Sequence, residues 1–493
     1  MDTTARAPEE KGFVLRPERL LRGVEKLVTP KKFSYHPSAE VVAHFDAIAT
    51  RWDESKRSWR YYHAERHRFI RSIIPPGASV LEVGCATGLL LGSLEGGRRV
   101  GVDVSPRMIE EARRRHPDVE FHVASGDALP SLAPFDYVVL DNLVEYVPDI
   151  HAVFDAVRPL LHPFSKLILT SNNPLWSTLI NLAHLAGTGT PDIQRNYTSN
   201  LDLMNLLALR GFDVIESGWR IPVPLGVPLV APALNAVVPR LPILRALGMV
   251  EYVVARLGVP PPGEPRASVV IPCFNEAENI GEAIDRTVGQ PGIGEVVVVD
   301  DGSQDGTADI VRERAARHPE VRLVALPQNQ GKAVAVARGF AAATEDIVVI
   351  LDADMAVAPE ELPYFVEVLR SGRAEFVNGS RLVYPMEPRA MKFLNYLGNK
   401  AFGIAISLIT GQRNTDTLCG TKAFFRRHLP HMRIGSAGWG DFDLLFSAAR
   451  LKLKVVEWPV RYGERRRGAS KMHPFRELGG MMRVCWRGLR DIP

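Results

Sequence analysis

Two aspartates one residue apart, Asp352 and Asp354, close the apolar run DIVVILDADM. Carboxylates so placed suit a divalent cation, Mg2+ or Mn2+, which prefers oxygen ligands and shares its shell with a diphosphate. An extended backbone would turn both side chains to one side. Upstream, EVVVVDDGSQDGT ends in the adjacent acids Asp300 and Asp301, where a carboxylate can read a base or a ribose, and SVVIPCFNEAENI leads through Pro272, Asn275 and Glu276 into a helix. Near the C-terminus, Arg461, Arg465, Arg466, Arg467 and Lys471 form a cationic run suited to phosphate, because guanidinium forks grip its oxygens and lysine adds a point charge. In the first half, VLEVGCATGLLL sets Glu82, Gly84 and Gly88 between an apolar run and a helical one, the setting in which a glycine turn lets backbone approach a nucleotide-like ligand. Asp103, in VGVDVSP, then stands where a carboxylate accepts both hydroxyls of a ribose, and Asp127, in SGDALP, where an adenine amino group would be read. His63 and His67 share one helical face, but no third metal ligand accompanies them; surface or cofactor-lid positions are expected.

Sheets must hold these residues. Short β-branched runs alternate with amphipathic stretches, the pattern of parallel sheets covered by helices. Strands are expected at Ser79–Val83, Arg99–Val102, Glu120–Val123, Tyr137–Leu140, Lys166–Thr170 and Gly248–Arg256, then at Ser268–Ile271, Glu295–Val299, Arg322–Leu326, Ile347–Leu351 and Phe376–Asn378. Between the two sets, VPPPGEPRA holds four prolines and interrupts both helix and strand. The expected organisation is a flexible tail over 1–35, an α/β domain over 36–258, a linker over 259–267 and a second doubly wound α/β domain over 268–493.

At 46% hydrophobic and 24% charged residues, disordered, collagenous and coiled-coil classes are excluded. Lys plus Arg (60) nearly balances Asp plus Glu (56), and the net +4, with no aromatics interleaved in the basic run, points away from nucleic acid. The four cysteines lie far apart, so neither a disulfide framework nor a zinc site is expected. No signal peptide and no apolar run of ~18 residues is visible, so a cytoplasmic protein is expected, with any membrane contact peripheral. Ile221–Leu247 is apolar and proline-rich, and is expected to fold onto its own domain, with a lid or interfacial patch for a lipid-linked substrate as the alternative. Apolar segments with basic residues, MKFLNYLGNKAFGIAISLITG and PFRELGGMMRVCWRGLR, fit interfacial helices or core helices equally well.

The first half resembles the class I S-adenosylmethionine-dependent methyltransferases, through Glu82, the Gly84–Gly88 turn and Asp103. The resemblance implies a Rossmann-like fold and makes Glu82, Gly84, Gly88, Asp103 and Asp127 contacts of S-adenosyl-L-methionine, with Asp141 and Asn142 on the methyl-acceptor side. Ala86 replaces the middle glycine. The second half resembles glycosyltransferase family 2, of GT-A fold, through the ordered series from Pro272 to Asp354. Within it, NTDTLCGTKAFFRR, GWGDFDLLF and RYGERRRGASK look most like the polyprenyl-phosphate sugar transferases, including dolichyl-phosphate mannose synthase. That resemblance places Pro272, Asn275, Glu276, Asp301 and Asp352 against a nucleotide-sugar, Asp352 and Asp354 on the metal, Arg381 on a phosphate, and Asp416 and Lys422 on the acceptor side. Ala356 stands where some relatives have a glutamine.

The acceptor decides which other residues act. A hydroxyl acceptor needs a base, and Asp441 or Asp443 is the candidate. A polyprenyl phosphate is already ionised, since a phosphate monoester has its second pKa near ≈ 6. Arg467 and Lys471 would then matter more. Both acceptors stay open, as does a methyltransferase-fold domain that only binds. The expectation is a bifunctional enzyme: metal-dependent, inverting sugar transfer to polyprenyl phosphate or a glycan, with methylation of a glycan or lipid-linked substrate.

Overall fold

The computed structural model describes residues 38–55, 59–176, 196, 198–241, 244–384, 393–434, 440–461, 483, 485–490 and 492. Period-2 runs of Val, Ile and Leu build two mixed sheets, each of seven strands. The first contains β1 (Val80–Val83), β2 (Arg99–Asp103), β3 (Glu120–Val123), β4 (Phe135–Asp141), β5 (Leu161–Asn172), β6 (Phe212–Arg220) and β7 (Val250–Leu257), in the order β3-β2-β1-β4-β5-β7-β6. Only β7 runs antiparallel to its neighbours. Alternate side chains feed two cores: Leu81, Val83, Val138 and Leu140 one face, Val80, Tyr137 and Val139 the other. Its helices of eight or more residues are α1 (Ser38–Ile48), α2 (Arg60–Ile73), α3 (Pro106–Arg115), α4 (Ile150–Val157), α5 (Asn200–Leu209) and α6 (Val230–Val237). The Ser105-Pro106 start of α3 works as its sequence implies: Ser105 Oγ accepts from Met108 N at 3.1 Å, and the proline needs no partner at the first helical position.

The second sheet contains β8 (Ala267–Cys273), β9 (Ile293–Asp300), β10 (Val321–Ala325), β11 (Ile347–Ile350), β12 (Phe376–Ser380), β13 (Lys422–Phe425) and β14 (Val455–Pro459), in the order β10-β9-β8-β11-β13-β12-β14, with β13 antiparallel to both neighbours. Val269, Ile271, Val296 and Val298 face one core, Val270, Val297 and Val299 the other. Its helices are α7 (Ile280–Thr287), α8 (Thr307–Arg317), α9 (Lys332–Ala342), α10 (Leu362–Arg370), α11 (Phe393–Thr410) and α12 (Gly440–Arg450). In each sheet the strand order reverses beside the first strand, between β1 and β4 and between β8 and β11, and ligands of such sheets bind at the carboxyl ends there.

The two sheets are joined by more than the proline segment. Lys166 Nζ on β5 donates to Glu375 Oε1 at 2.6 Å and Oε2 at 2.8 Å, with both side chains at most 2% exposed. Lys452 Nζ meets Glu216 Oε2 at 2.7 Å, and Tyr252 Oη donates to the other oxygen at 2.5 Å. Asp213 receives Lys454 at 2.8 Å and Arg256 at 3.0 Å, and Arg256 also donates to Gly372 O at 2.6 Å. Phe164 stacks edge-on against Phe425 beneath the guanidinium of Arg427. Breaking one partner of such a pair would strand a buried charge, so these contacts fix how the halves sit.

Ile221–Leu247 departs from expectation. Among its described residues, nine large apolar side chains are exposed rather than folded inward. The prolines break regular structure into the short α6 and single turns, which leaves too few helical faces to bury every apolar group.

Candidate active sites

At the first switch point a cavity of about 280 Å³ is lined by Glu82, Gly84, Ala86, Asp103, Ser125, Gly126, Asp141 and Asn142, and by Trp52 and Tyr146. Gly84, Ala86 and Gly88 all take positive φ (80°, 47° and 75°), so the chain curls tightly after β1. Ala86 adopts this conformation despite its methyl group, and its N–H donates to Asp103 Oδ2 at 2.9 Å while Ser105 N donates to Oδ1 at 2.9 Å. The Asp103 carboxylate is therefore fixed at the end of β2, and burial pushes its pKa up. Two buried carboxylates beside an aromatic wall, where Phe45 packs edge-on to Trp52 and Tyr146, form a donor and acceptor set that fits S-adenosyl-L-methionine, a cation carrying ribose hydroxyls. Gly88 and Asp127 are not among the lining residues. Gly88 abuts Phe121, and Asp127 is exposed and hydrogen-bonded by Ser125 Oγ.

The opposite wall comes from α2. Tyr62, His63, Arg66 and His67 recur at helical spacing and line the cavity. Arg66 Nε lies 2.9 Å and His67 Nε2 3.5 Å from Asp141. Burial acts to raise the Asp141 pKa, but Arg66 and His67 outweigh it and hold the carboxyl well below its usual range. Arg66 also donates to Tyr62 Oη, which donates to Asn172 Oδ1 at 2.8 Å. Glu145 closes the chain by accepting Asn172 N and Nδ2. The two histidines are thus cavity residues, a role that the i, i+3, i+4 recurrence on α2 encodes but that is identifiable only once the helix faces β4.

At the second switch point, the loops after β8 and β9 are stapled together. Asn275, at φ 54°, donates its N–H to Ser303 Oγ at 2.8 Å and accepts Gln304 N at 2.9 Å; Glu276 N donates to Thr307 Oγ1 at 3.0 Å. Pro272, the last residue but one of β8, is half-buried. Asp301 accepts Gln330 N and Gly331 N, each at 2.8 Å, and so fixes the start of α9 and its first residue, Lys332. Lys332 Nζ in turn lies 2.5 Å from Asp352 Oδ1. An ammonium on this carboxylate is a stand-in cation, and the pair Asp352 and Asp354 fits a divalent ion that takes its other ligands from water or phosphate. Among the described residues no group of three or more His, Cys, Asp or Glu could hold a metal by itself. Gly420 adjoins this pair; a Cβ there would collide with Asp352 Oδ2.

Several expectations are corrected. Asp352–Asp354 is not extended: β11 ends at Ile350, and Met355 N bonds Asp352 O at 3.1 Å to close a turn. Asp416 is 0% exposed and cannot meet an acceptor. The Arg381 fork expected on a phosphate grips it instead, Nε to Oδ2 at 2.7 Å and Nη2 to Oδ1 at 2.8 Å, with Asn399 Nδ2 adding a bond at 2.7 Å. Burial would raise the Asp416 pKa, but Arg381 holds it down. Lys422 is fully buried and donates to Cys419 O. Asp443 is buried and ion-paired with Arg487, which occupies the carboxylate a base would need. Arg467 and Lys471 lie outside the described residues, as does the Asp441 side chain.

Residues 268–431 match the family model for glycosyl transferase family 2, and residues 80–164 match a methyltransferase domain. An undecaprenyl-phosphate mannosyltransferase of Micrococcus luteus is 33% identical over 218 residues, covering 42% of this chain and 87% of its own length. An undecaprenyl-phosphate 4-deoxy-4-formamido-L-arabinose transferase of Pectobacterium carotovorum is 33% identical over 223 residues, 44% of this chain and 64% of its own length, so the match spans less than two thirds of that enzyme. A SAM-dependent methyltransferase structure from Thermotoga maritima aligns with 44% of this chain and 98% of its own at 16% identity and a TM-score of 0.35.

Proposed function

The chain belongs to glycosyl transferase family 2 and carries a methyltransferase domain ahead of that half, and on this footing we propose that it moves a sugar from a nucleotide donor to polyprenyl phosphate and methylates a glycan or lipid-linked substrate. The observation that carries the first activity is the Lys332–Asp352 pair at the carboxyl edge of the second sheet. When bound, Mg2+ or Mn2+ supplies charge neutralisation for the departing nucleoside diphosphate. Asn275 and Glu276, fixed by the loop after β9, would hold the nucleotide, and Asp301 keeps Lys332 at the reacting edge. A lipid phosphate needs no base because it is already substantially ionised at neutral pH. The pairing of Asp443 with Arg487 speaks against Asp443 as the base that a hydroxyl acceptor would need.

In the first half, S-adenosyl-L-methionine supplies the sulfonium methyl when bound. Asp103 would accept the ribose hydroxyls, Glu82 lies beside the turn, and Asp141, clamped by Arg66 and His67, fixes the acceptor wall. Positioning in line with the methyl carries most of such a transfer.

The test is incubation of pure protein and Mn2+ with a panel of radiolabelled sugar nucleotides and a short-chain polyprenyl phosphate. Label extracted into organic solvent only with metal supports the reading. No transfer from a donor that demonstrably binds sinks it.

A further inference from the structure

We propose that the apolar insertion after β6, together with the last helical turn of the chain, seats the protein on an anionic lipid surface. Leu229 is 88% exposed, and Val227, Leu234 and Leu244 are also exposed. Clusters of exposed large apolar side chains mark interaction sites. The segment is not loosely collapsed. Asn235 bonds Val223 N at 2.9 Å and Val223 O at 3.0 Å, and reaches Tyr61 Oη on α2 at 3.2 Å. At its far end Asn173 Nδ2 donates to Ala246 O and Gly248 O, and Trp176 Nε1 to Leu247 O. Polar side chains thus hold the insertion from within, Ile221 and Ala231 pack inward, and nine of its large apolar side chains stay exposed. Leu229 also takes φ 63°, a strained value for a branched residue, at the position that exposes it most.

The surface extends across both halves. Arg240 Nη2 donates to Leu489 O at 2.6 Å and Ile492 O at 3.2 Å, tying the insertion to residues 485–490, where Trp486 is 74% exposed. The same C-terminal turn packs on α11 and α12 through Cys485 and Ile492, and α11 turns Ile404 and Leu408 outward.

Charge selects lipid as the occupant. No Asp or Glu occurs between Ile221 and Val250, within Phe393–Thr410, or among residues 483–490, whereas Arg245, Lys400, Arg483 and Arg490 are exposed there. Apolar segments that carry exposed cations and no carboxylate of their own complement an anionic bilayer, with tryptophan at the boundary. The location adds a purpose: Asn172 and Met249, at the root of the insertion, line the methyltransferase cavity, so a substrate held in the bilayer would arrive beside it. This last step rests on the function proposed above; the surface itself does not.

The experiment is sedimentation of the full chain with vesicles of phosphatidylglycerol and phosphatidylcholine, and with phosphatidylcholine alone. Binding should favour the anionic vesicles, weaken with salt, and fall about tenfold or more in Leu229→Asp/Leu234→Asp. Both side chains are exposed, so the variant should keep its unfolding midpoint and its sugar transfer to a water-soluble acceptor. Equal binding by the variant, or none by either protein, would overturn the proposal. So would a concentration-dependent dimer that the variant abolishes without any vesicle binding. Loss of sugar transfer by the unsubstituted protein would sink the function and leave the vesicle result standing.

Discussion

Lys332 Nζ sits 2.5 Å from Asp352 Oδ1, on a helix whose entry is held by both oxygens of Asp301. The carboxylate assigned to the donor's metal therefore already has a positive partner. Asp352→Asn should lower sugar transfer at least 100-fold, as expected for loss of a charge contact to the leaving group. Lys332→Met should lower transfer about tenfold, yet bind Mn2+ in the absence of donor more tightly, because a competing cation has gone. Titration calorimetry with Mn2+ alone separates the two effects; unchanged or weaker Mn2+ binding in Lys332→Met would contradict the pairing.

The junction should be costly to break from one side. Glu375→Ala leaves Lys166 charged and buried, and we expect a loss of about 3–5 kcal/mol in urea unfolding. Lys166→Met/Glu375→Leu should recover most of it, since both charges leave together. A double variant as unstable as the single one would show that packing, not charge, holds the interface.

Glu251 makes stability pH-dependent. Burial pushes its carboxyl up to about 7, although Trp219 Nε1 donates to it at 2.9 Å. The unfolded chain releases this proton near ≈ 4.3, so the folded state binds more protons between that value and about 7, and stability falls as pH rises through the window. Glu251→Gln should be neutral near pH 4 and stabilising by about 1–2 kcal/mol above pH 7. Urea midpoints across this range would check the sign.

The fold was legible where strands are parallel and buried on both faces, because VVVV and VILD runs admit few other readings. β6, β13 and β14 escaped. FDVIESGWR carries charges at Asp213 and Glu216 that look solvent-facing, and only the partner half, through Lys454 and Lys452, reveals them as interface residues. Motif order located both sites, but not which acids are spent internally. Asp416 and Asp443 read as reactive until Arg381 and Arg487, 35 and 44 residues away, are seen to neutralise them. Lys332 lacked a signal of its own, since it opens α9 while its partner Asp352 stands 20 residues on, in the turn after β11.

For the cofactor, Asp103 and Asp127 should separate. Asp103→Ala removes the carboxylate that lines the cavity and should weaken S-adenosyl-L-methionine at least tenfold by calorimetry, whereas exposed Asp127→Ala should stay within about twofold. Equal losses would place Asp127 on the ligand.

The most direct measurement compares a short-chain isoprenyl phosphate with the corresponding alcohol as acceptor, using one radiolabelled donor and Mn2+. Metal-dependent transfer to the phosphate and none to the alcohol is the predicted result. Transfer to the alcohol, abolished by Asp441→Asn, would contradict it and identify a hydroxyl-directed transferase with its own base.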